Sequence, residues 1–311
     1  MSQILFLTSP TFILIIFGFL TVRLTWMPKE YIKVLAWFIV NIALPAALFK
    51  ALSAQPFHEI LNVDYLLVFG CGSVFAFLLL FSIAKLRNKT TTESALFGLG
   101  ASVSNSLMIG FPIIMQLFGE EALIPFALAL IIENLVILPL TLTLAQSAQH
   151  KGQSFFSVFS KSLIQLVKNP IIIAISLGVL CASTEIESPL IITEVIDVLS
   201  KTVAGISLFA IGGMLVGLEV KGLFKDISII VIGKLVIHPL CVFAFIFLFP
   251  TMPPLYKKVA IILACMPMFS IYAVIGMKYQ LGKLCSAVLL PTTVCCFITI
   301  NVVIWLVSHL K

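Results

Sequence analysis

The stretch that decides the fold reads "SNSLMIGFPI" and covers residues 104–113. It lies inside an apolar segment that is long enough to cross a bilayer, yet it contains Asn105 and a Gly-Phe-Pro sequence that ends at Pro112. Proline in a helix interior removes a backbone donor and clashes with the preceding turn, at a cost of about 3 kcal/mol. This stretch therefore predicts an interrupted helix in nonpolar surroundings.

The composition of the rest of the chain supplies those surroundings. Of the 311 residues, 61% are hydrophobic and only 10% are charged, whereas soluble domains carry about 25% charged residues. Segments of about 20 apolar residues span the hydrocarbon core as helices, and ten are predicted. They are 4–22, 31–52, 62–84, 94–118, 123–146, 161–183, 196–218, 227–249, 257–280 and 285–308. We therefore expect an all-α polytopic membrane protein with ten transmembrane helices.

Loop charges predict the orientation of these helices. With the N-terminus outside, the odd-numbered loops hold thirteen basic residues and the opposite side holds five. The thirteen are Arg23, Lys29, Lys33, Lys85, Arg87, Lys89, Lys151, Lys161, Lys168, Lys221, Lys225, Lys278 and Lys283. The five are Lys50, Lys201, Lys257, Lys258 and Lys311. The positive-inside rule then places both termini outside the cytoplasm of a multi-pass protein, expected in the inner (plasma) membrane. Because topology explains the net charge of +6, we expect no nucleic-acid partner.

The most hydrophilic interior stretch, 146–161, divides the chain into two groups of five segments, 1–148 and 149–311. Five is odd, so the second group must enter the membrane from the opposite side. Many secondary transporters consist of such inverted repeats, with substrate sites at broken helices near the midplane. The fourth segment of each group contains a proline, Pro112 and Pro267, which predicts crossed broken helices 4 and 9.

The two breaks predict a site for an anion. A broken helix ends in N–H groups that carry roughly half a positive charge. Gly110 lowers the local rigidity before Pro112, and Asn105, seven residues before that proline, is placed on about the same helical face. The alternative interpretation is purely structural: the prolines are kinks, and Asn105 joins helices through a hydrogen bond worth about 0.6 kcal/mol. The presence of a break in each half favours a binding site.

Four stretches, in order, resemble motifs of the auxin efflux carrier family. They are "NIALPAALF" (41–49), "NSLMIGFP" (105–112), "GKLVIHPL" (233–240) and "MPMFSIYAVIGMKY" (266–279). The resemblance implies two inverted five-helix repeats that together build a scaffold and a transport subdomain, with elevator-like alternating access for small organic anions, either carboxylates or auxin-like molecules. It also implies a possible homodimer.

The same resemblance names the expected substrate-binding residues. Asn105 corresponds to the crossover asparagine that contacts substrate. The others within the four motifs are Asn41, Pro45, Gly110, Pro112, Pro267, Ser270 and Tyr272. Members of the family often have a second asparagine four residues after the proline of the ninth helix, where this chain has Ile271. Ser270 and Tyr272 flank that position and are the expected replacements.

Ionisable residues inside the apolar segments indicate functional groups by default. Glu133 lies about ten residues into its segment, next to Asn134, and Lys234 and His238 lie one turn apart in the eighth segment. Burial disfavours the charged form of a carboxyl group, so Glu133 is the first candidate for proton coupling. A structural ion pair between Glu133 and Lys234 is an equal alternative. Lys234 is a further candidate for offsetting a substrate carboxylate, whereas His238 is expected to be a packing residue.

Other functional classes find less support in the sequence. There is no metal-ligand cluster, nucleophile motif or nucleotide-binding loop, so we expect no enzyme activity, metal or cofactor. Transport energy must then come from gradients, with protons as the expected coupling ion and sodium as the less favoured one. The expected partners are a small organic anion and membrane lipid. An ion or solute channel and a membrane receptor are the alternative functions, but like-residue rings and a soluble sensing module are not visible.

Overall fold

The computed structural model describes residues 2–56, 60–149, 160, 164, 168–184, 189–218 and 224–308. Within these ranges the chain is almost entirely helical and contains no β-strand, which confirms the all-α prediction. Most of the hydrophilic stretch 146–161 lies outside the described residues, as do Lys151, Lys161, Lys221 and Lys311. The structure therefore leaves the predicted boundary between residues 148 and 149 a prediction.

The α-helices of the described residues are numbered in chain order. They are α1 (Ser2–Arg23), α2 (Lys29–Phe38), α3 (Leu44–Ser53), α4 (Val63–Leu86), α5 (Thr91–Ser102), α6 (Phe111–Phe118), α7 (Leu123–Ile132), α8 (Leu138–Gln149), α9 (Pro170–Thr184), α10 (Leu190–Leu215), α11 (Phe224–Ile232), α12 (His238–Ile246), α13 (Pro254–Ala264), α14 (Ile271–Lys278) and α15 (Gly282–Ser308). A 3-10 turn, Gly119–Ala122, connects α6 to α7.

Six helical stretches are long and apolar enough to cross a membrane. They are Lys29–Ser53, Val63–Leu86, Thr91–Gln146, Leu190–Leu215, Phe224–Ile246 and Gly282–Val307. Two shorter apolar helices, Ser9–Arg23 and Pro170–Thr184, accompany them. The chain is therefore a multi-pass helical membrane protein, as its composition predicts.

Four helices contain a wide turn of the π type directly before a proline. The turns are π1 (Ile39–Ala43), π2 (Ser106–Gly110), π3 (Glu133–Ile137) and π4 (Gly233–Ile237). In each case the proline is the second residue after the turn: Pro45, Pro112, Pro139 and Pro239. A proline ring clashes with the carbonyl four residues earlier. One additional residue in the turn moves that carbonyl aside, so the helix continues as a bulge instead of breaking.

Contacts divide the chain into two compact units, each built from separate parts of the sequence. Unit 1 comprises Met1–Asn62, Ser106–Leu128 and Val167–Gly217. Its principal packing places α1 against α10, where glycines allow very close approach. A Cβ atom on Gly18 would overlap the Phe209 carbonyl, and one on Gly212 would overlap the Ile15 carbonyl. Close backbone contact of this kind is typical of helices that associate inside membranes.

Unit 2 comprises Val63–Asn105, Ala129–Leu166 and Leu218–Lys311. Its helix α4 packs against α5 and α12, and α5 also packs against α8. Helix α5 begins with a capping box, in which Thr90 accepts from the Glu93 N–H and Glu93 accepts from the Thr90 N–H. These interactions satisfy two of the donors that a helix N-terminus leaves without partners. The same helix ends abruptly at Ser102, inside the unit, and there the candidate site begins.

Candidate functional site

The first helix break consists of residues 103–105, between α5 and π2. Each of its three main-chain N–H groups has a partner within unit 2. Val103 donates to the Leu99 carbonyl at 3.1 Å, Ser104 to Oε1 of Glu133 at 3.1 Å, and Asn105 to the Pro267 carbonyl at 2.7 Å. Non-helical backbone at membrane depth is tolerated where such partners satisfy it. The break is therefore a stable part of the fold.

The second break consists of residues 265–270, between α13 and α14. Pro267 lies at its centre and accepts the hydrogen bond from Asn105, so the two interrupted helices meet at these two residues. Asn105 and Pro267 are both buried. The structure thus brings together the two sequence motifs that were expected to cross.

Lys234 lies beside both breaks, and its side chain is fully buried. Its Nζ donates to Oγ of Ser104, to Nδ1 of His238 and to the carbonyl of Ala264, each at 2.8 Å. An ammonium group has three donors and no acceptor, so every donor is used. Ala264 is the last residue of α13, where a cation also interacts favourably with the helix dipole. Lys234 therefore links the first break to the end of the helix that precedes the second.

The contacts of His238 identify its tautomer. An ammonium can only donate, so Nδ1 of His238 must accept the hydrogen bond from Lys234. The remaining hydrogen of the neutral ring is then on Nε2, which lies 2.9 Å from Oγ of Ser73 and donates to it. Ser73 belongs to α4 and is fully buried. The histidine thus extends the network of Lys234 to a fourth helix.

Glu133 is joined to Lys234 through Ser104. Its Oε1 accepts from the main-chain N–H of Ser104, whereas the hydroxyl of the same serine accepts from Lys234. The carboxylate is buried, and its charge acts on the lysine ammonium. A buried charge is tolerated only when it is paired and hydrogen-bonded. Glu133, Ser104 and Lys234 therefore form one connected group at the first break, with a negative charge at one end and a positive charge at the other.

The wide turns place these two ionisable residues. Glu133 is the first residue of π3 and Lys234 is the second residue of π4. In π3 the Leu138 N–H bonds to the Glu133 carbonyl, and in π4 the His238 N–H bonds to the Gly233 carbonyl, each a span of five residues. Turns of this type are frequent at functional sites because they redirect side chains. Prolines 139 and 239 thus contribute to the site indirectly, through the turn that precedes each of them.

The other predicted residues of unit 2 differ in the hydrogen bonds that their side chains make. The Tyr272 hydroxyl is buried and donates to the Leu96 carbonyl at 2.9 Å, and Asn134 donates to the Leu130 carbonyl of its own helix at 2.8 Å. Ser270 is half-buried at the N-cap of α14 and makes no side-chain capping bond there. Its hydroxyl and the N-terminus of α14 therefore offer the groups nearest to Pro267 in sequence that could hold an anion.

Four predicted residues belong to unit 1, whereas the network of Lys234 lies in unit 2. Asn41 is in π1 and donates to the Trp37 carbonyl of its own helix at 2.8 Å. Pro45 follows π1, whereas Gly110 ends π2 and Pro112 follows it. The chain passes from unit 2 to unit 1 between Asn105 and Ser106. The motif "NSLMIGFP" therefore contributes residues to both units.

The position of the first break differs from the prediction. The helix was expected to break at Pro112, but Pro112 lies in a continuous helix that begins with π2, and the non-helical residues are 103–105. The widened turn absorbs the clash that the proline would cause. Asn105 and Pro112 are consequently not seven residues apart on one regular helix, so the expectation that they share a helical face was wrong.

Three groups of the network were not predicted. Ser104 stands inside the quoted stretch, Ser73 is in α4, and the third group is the main-chain carbonyl of Ala264. The signal for Ser104 was its position beside Asn105 in an apolar segment. Ser73 and Ala264 carry no such signal, because a small hydroxyl or a carbonyl is common in any helix.

Comparison with known proteins places this geometry in context. Residues 4–304 match the model of a family described as "Membrane transport protein". A protein of Rhizobium meliloti (strain 1021), named "Putative malonate transporter", is 30% identical over 309 residues, which cover 99% of this chain and 97% of the relative. The "Uncharacterized transporter YfdV" of Escherichia coli (strain K12) is 23% identical, over 65% of this chain and 66% of that protein.

A more distant relative is much longer than this chain. The "Lysosomal cholesterol signaling protein" of Mus musculus is 23% identical over 245 residues, which are 73% of this chain but only 28% of the mouse protein. The family match, by contrast, extends over nearly all of the present sequence. The chain therefore belongs to the membrane transport protein family, the auxin efflux carrier family that its four motifs resemble.

Proposed function

We propose that this protein is a secondary active transporter that moves a small organic anion across the membrane by alternating access. The observation that carries the proposal is the contact between the two helix breaks, Asn105 to Pro267, beside the buried network of Lys234. Broken helices that meet inside a membrane protein are the recurring form of a transporter binding site. Membership of a transport family supports the same activity.

We further propose ten membrane helices in two inverted five-helix repeats, 1–148 and 149–311, with both termini outside the cytoplasm of the inner membrane. The stretch Thr91–Gln146 is 56 residues long, more than twice the length that one crossing requires. It includes two of the ten predicted segments. The predicted segment 257–280 is divided by the second break into α13 and α14, which makes each piece too short to qualify as a span alone.

The division into two units supports an elevator-like mechanism. Each unit takes segments from both proposed repeats, as a scaffold and a transport domain would. Unit 2 contains both breaks and all the buried acidic and basic side chains of the described residues. We therefore assign the transport role to unit 2 and the scaffold role, including any contact in a homodimer, to unit 1.

The arrangement of donors favours a carboxylate as substrate. All three donors of Lys234 are used within the protein, so it attracts an anion through its charge rather than through a direct hydrogen bond. The proposed direct contacts to the substrate come from the Asn105 side chain, which the family resemblance identifies, and from the Ser270 hydroxyl and the N-terminal N–H groups of α14. Malonate is the first compound to test, because the Rhizobium meliloti relative carries that name.

Transport into proteoliposomes tests this proposal. Wild-type protein should take up radiolabelled malonate or another carboxylate from a panel that includes indole-3-acetate, and Asn105→Ala should lose uptake and ligand-induced thermal stabilisation together. A saturating ligand at a hundred times its dissociation constant stabilises by about 2.7 kcal/mol. Asn301→Ala is the matched control, since Asn301 is also buried but donates to the Phe297 carbonyl of its own helix. Equal uptake by both variants, or ion currents faster than any carrier, would contradict the carrier proposal.

We propose that a proton gradient drives transport and that Glu133 carries the coupled proton. The charges of Glu133 and Lys234 offset each other, so protonation of Glu133 leaves the network with a net positive charge that favours an anion nearby. Loading would then carry one proton with the substrate. Glu133→Gln keeps an oxygen that can accept from the Ser104 N–H, but it cannot titrate, so uptake should lose its response to an imposed pH gradient. Asp197→Asn, a partly exposed carboxylate of unit 1, should keep it. Sodium-driven uptake that ignores the pH gradient would contradict the proposal.

A further inference from the structure

A small cavity of about 220 Å³ lies in unit 2, where α12 ends and α13 begins. Most of its lining is apolar, but two lysines also line it. The lining includes Phe243, Phe247, Pro250, Ile261, Lys257 and Lys258. Phe247 is largely exposed, which opens the cavity to the surroundings of the protein. An apolar cavity with adjacent cations is suited to a ligand that has an apolar part and an anionic part.

The two lysines have donors available for such a ligand. Nζ of Lys257 donates to the Pro250 carbonyl at 2.8 Å, which leaves two of its three donors. The Lys258 side chain makes no hydrogen bond or ion pair with the residues that the structure describes. Both lysines are half-buried, so part of each stays accessible to a ligand.

The lysines also differ from their counterparts on the same side of the membrane. In the predicted topology this side is poor in basic residues, and two of its lysines are neutralised. Lys50 pairs with Glu120 and Asp197, at 3.0 and 2.7 Å, and Lys201 pairs with Asp197 at 2.5 Å. Lys257 and Lys258, in contrast, form no ion pair with the described carboxylates. A pair of adjacent cations without a carboxylate is complementary to an anion from outside the chain.

The location of the cavity points to lipid as the source of that anion. The apolar span Phe224–Ile246 ends directly before Phe247, so the cavity lies where the hydrocarbon core gives way to the headgroup region. Basic pockets between membrane helices bind anionic lipid headgroups on the cytoplasmic side of membranes, and the same attraction between lysine and phosphate acts at the opposite end of the helices. The connection "FPTMPP" (249–254) has three prolines, whose fixed φ angles restrict the backbone beside the cavity.

We propose that this cavity binds one anionic phospholipid, with its phosphate against Lys257 and Lys258 and the start of an acyl chain against Phe243 and Phe247. The volume is below the range of roughly 300–1,000 Å³ that is usual for sites that enclose a whole drug-sized ligand. Only the start of the chain therefore enters the cavity, and the remainder stays in the bilayer. The proposal requires that the protein is in a membrane but does not depend on which solute it transports.

Lipid titration of the purified full chain in an uncharged detergent tests the proposal. Dioleoylphosphatidylglycerol should raise the thermal unfolding midpoint of the wild type, and native mass spectrometry should show one retained lipid. The double variant K257Q/K258Q should bind roughly 30-fold more weakly, because each lysine near an anionic lipid contributes a little more than a fivefold gain in affinity. K278Q/K283Q is the matched control, since it removes the same charge from the other side of unit 2 in the predicted topology.

Two further ligands separate lipid from other sources of the same chemistry. Dioleoylphosphatidylcholine has the same chains but no net charge, and glycerol phosphate has the charge but no chain; both should leave the midpoint unchanged. Equal binding of phosphatidylglycerol by K257Q/K258Q and the control would overturn the proposal. Equal stabilisation by phosphatidylcholine would overturn the role of the lysines, and stabilisation by glycerol phosphate alone would identify a site for soluble phosphate instead of lipid.

Discussion

The two units differ in the burial of their charged side chains. In the described residues, the buried acidic and basic side chains all belong to unit 2: Glu133, Asp226, Lys234 and His238. The ion pairs of unit 1 are formed by side chains that stay partly exposed: Lys50, Glu120, Asp197 and Lys201. Unit 1 is joined in its interior by close glycine contacts, and unit 2 by hydrogen bonds that converge on one lysine.

Both units contain the same local backbone feature. A wide turn before a proline occurs twice in each unit, but π1 and π2 of unit 1 contain neutral polar residues, Asn41 and Ser106, whereas π3 and π4 of unit 2 contain Glu133 and Lys234. Backbone geometry alone therefore does not determine the character of a unit. The residue placed at the turn decides whether the unit has a neutral interior or an electrostatic centre.

Removal of Lys234 is expected to have the largest effect on this difference. Lys234→Met leaves the acceptors of Ser104, His238 and Ala264 without their donor and removes the positive charge that acts on Glu133. Each buried polar group that loses its partner costs about 1–3 kcal/mol, so the thermal unfolding midpoint should fall sharply and uptake should be lost. Lys201→Met in unit 1 should change little, because its ion pair is exposed to solvent. Similar midpoints for the two variants would mean that the charges of the two units are equivalent.

Ser104 is expected to have an intermediate effect. Ser104→Ala removes one acceptor of the Lys234 ammonium but keeps the main-chain bond to Glu133, and a hydrogen bond to a charged group is worth about 1.5–3 kcal/mol. Ser102→Ala is the matched control, two residues away and equally buried, because its hydroxyl bonds only to the Gly98 carbonyl of its own helix. Thermal unfolding of the pair should rank Ser104→Ala as the less stable protein. The reverse order would show that the network does not hold the first break in place.

Two glycine substitutions in α10 test the packing of unit 1. In Gly212→Ala the new Cβ atom would overlap the Ile15 carbonyl and lie 2.7 Å from the Phe19 nitrogen. Overpacking of this kind costs about 1–3 kcal/mol. Gly205→Ala, in the same helix, has nothing within 4 Å of its new Cβ and should be neutral or stabilising by up to about 1 kcal/mol. If both substitutions give the same unfolding midpoint, close contact between α1 and α10 does not stabilise unit 1.

The ionisable members of the network were easier to single out from the sequence than the uncharged ones. Glu133 and Lys234 stood out because an ionisable group in an apolar segment is costly, whereas His238 was expected to be a packing residue and instead bonds to Lys234 and Ser73. The hydroxyl of Ser73 and the carbonyl of Ala264 carry no comparable cost, so nothing in their sequence distinguishes them. Only the folded structure shows that they complete the hydrogen bonds of the network.

The prolines show a second limit. Their ring clash predicts a disturbance of the helix, but whether the helix breaks, widens or continues depends on what surrounds it. Pro10 and Pro291 lie inside continuous α-helices, Pro112 follows a wide turn, and Pro267 lies in a break. The position of the first break at residues 103–105 follows from the partners that unit 2 supplies for its N–H groups, and such partners come from distant parts of the chain.

The wide turns also have a consequence for how this chain tolerates changes in length. A π turn contains one residue more than the α turn that would replace it, so π4 holds a spare residue between two regular helices. Loss of one residue between Gly233 and Ile237 would let the helix close as a regular α-helix, with both flanking segments still helical. Deletion of Leu235 or Val236 would place Lys234 and His238 three residues apart instead of four, and it would change the direction in which the Lys234 side chain leaves the helix. Sequences that differ by one residue at this point can thus share the flanking helices and still direct the lysine differently.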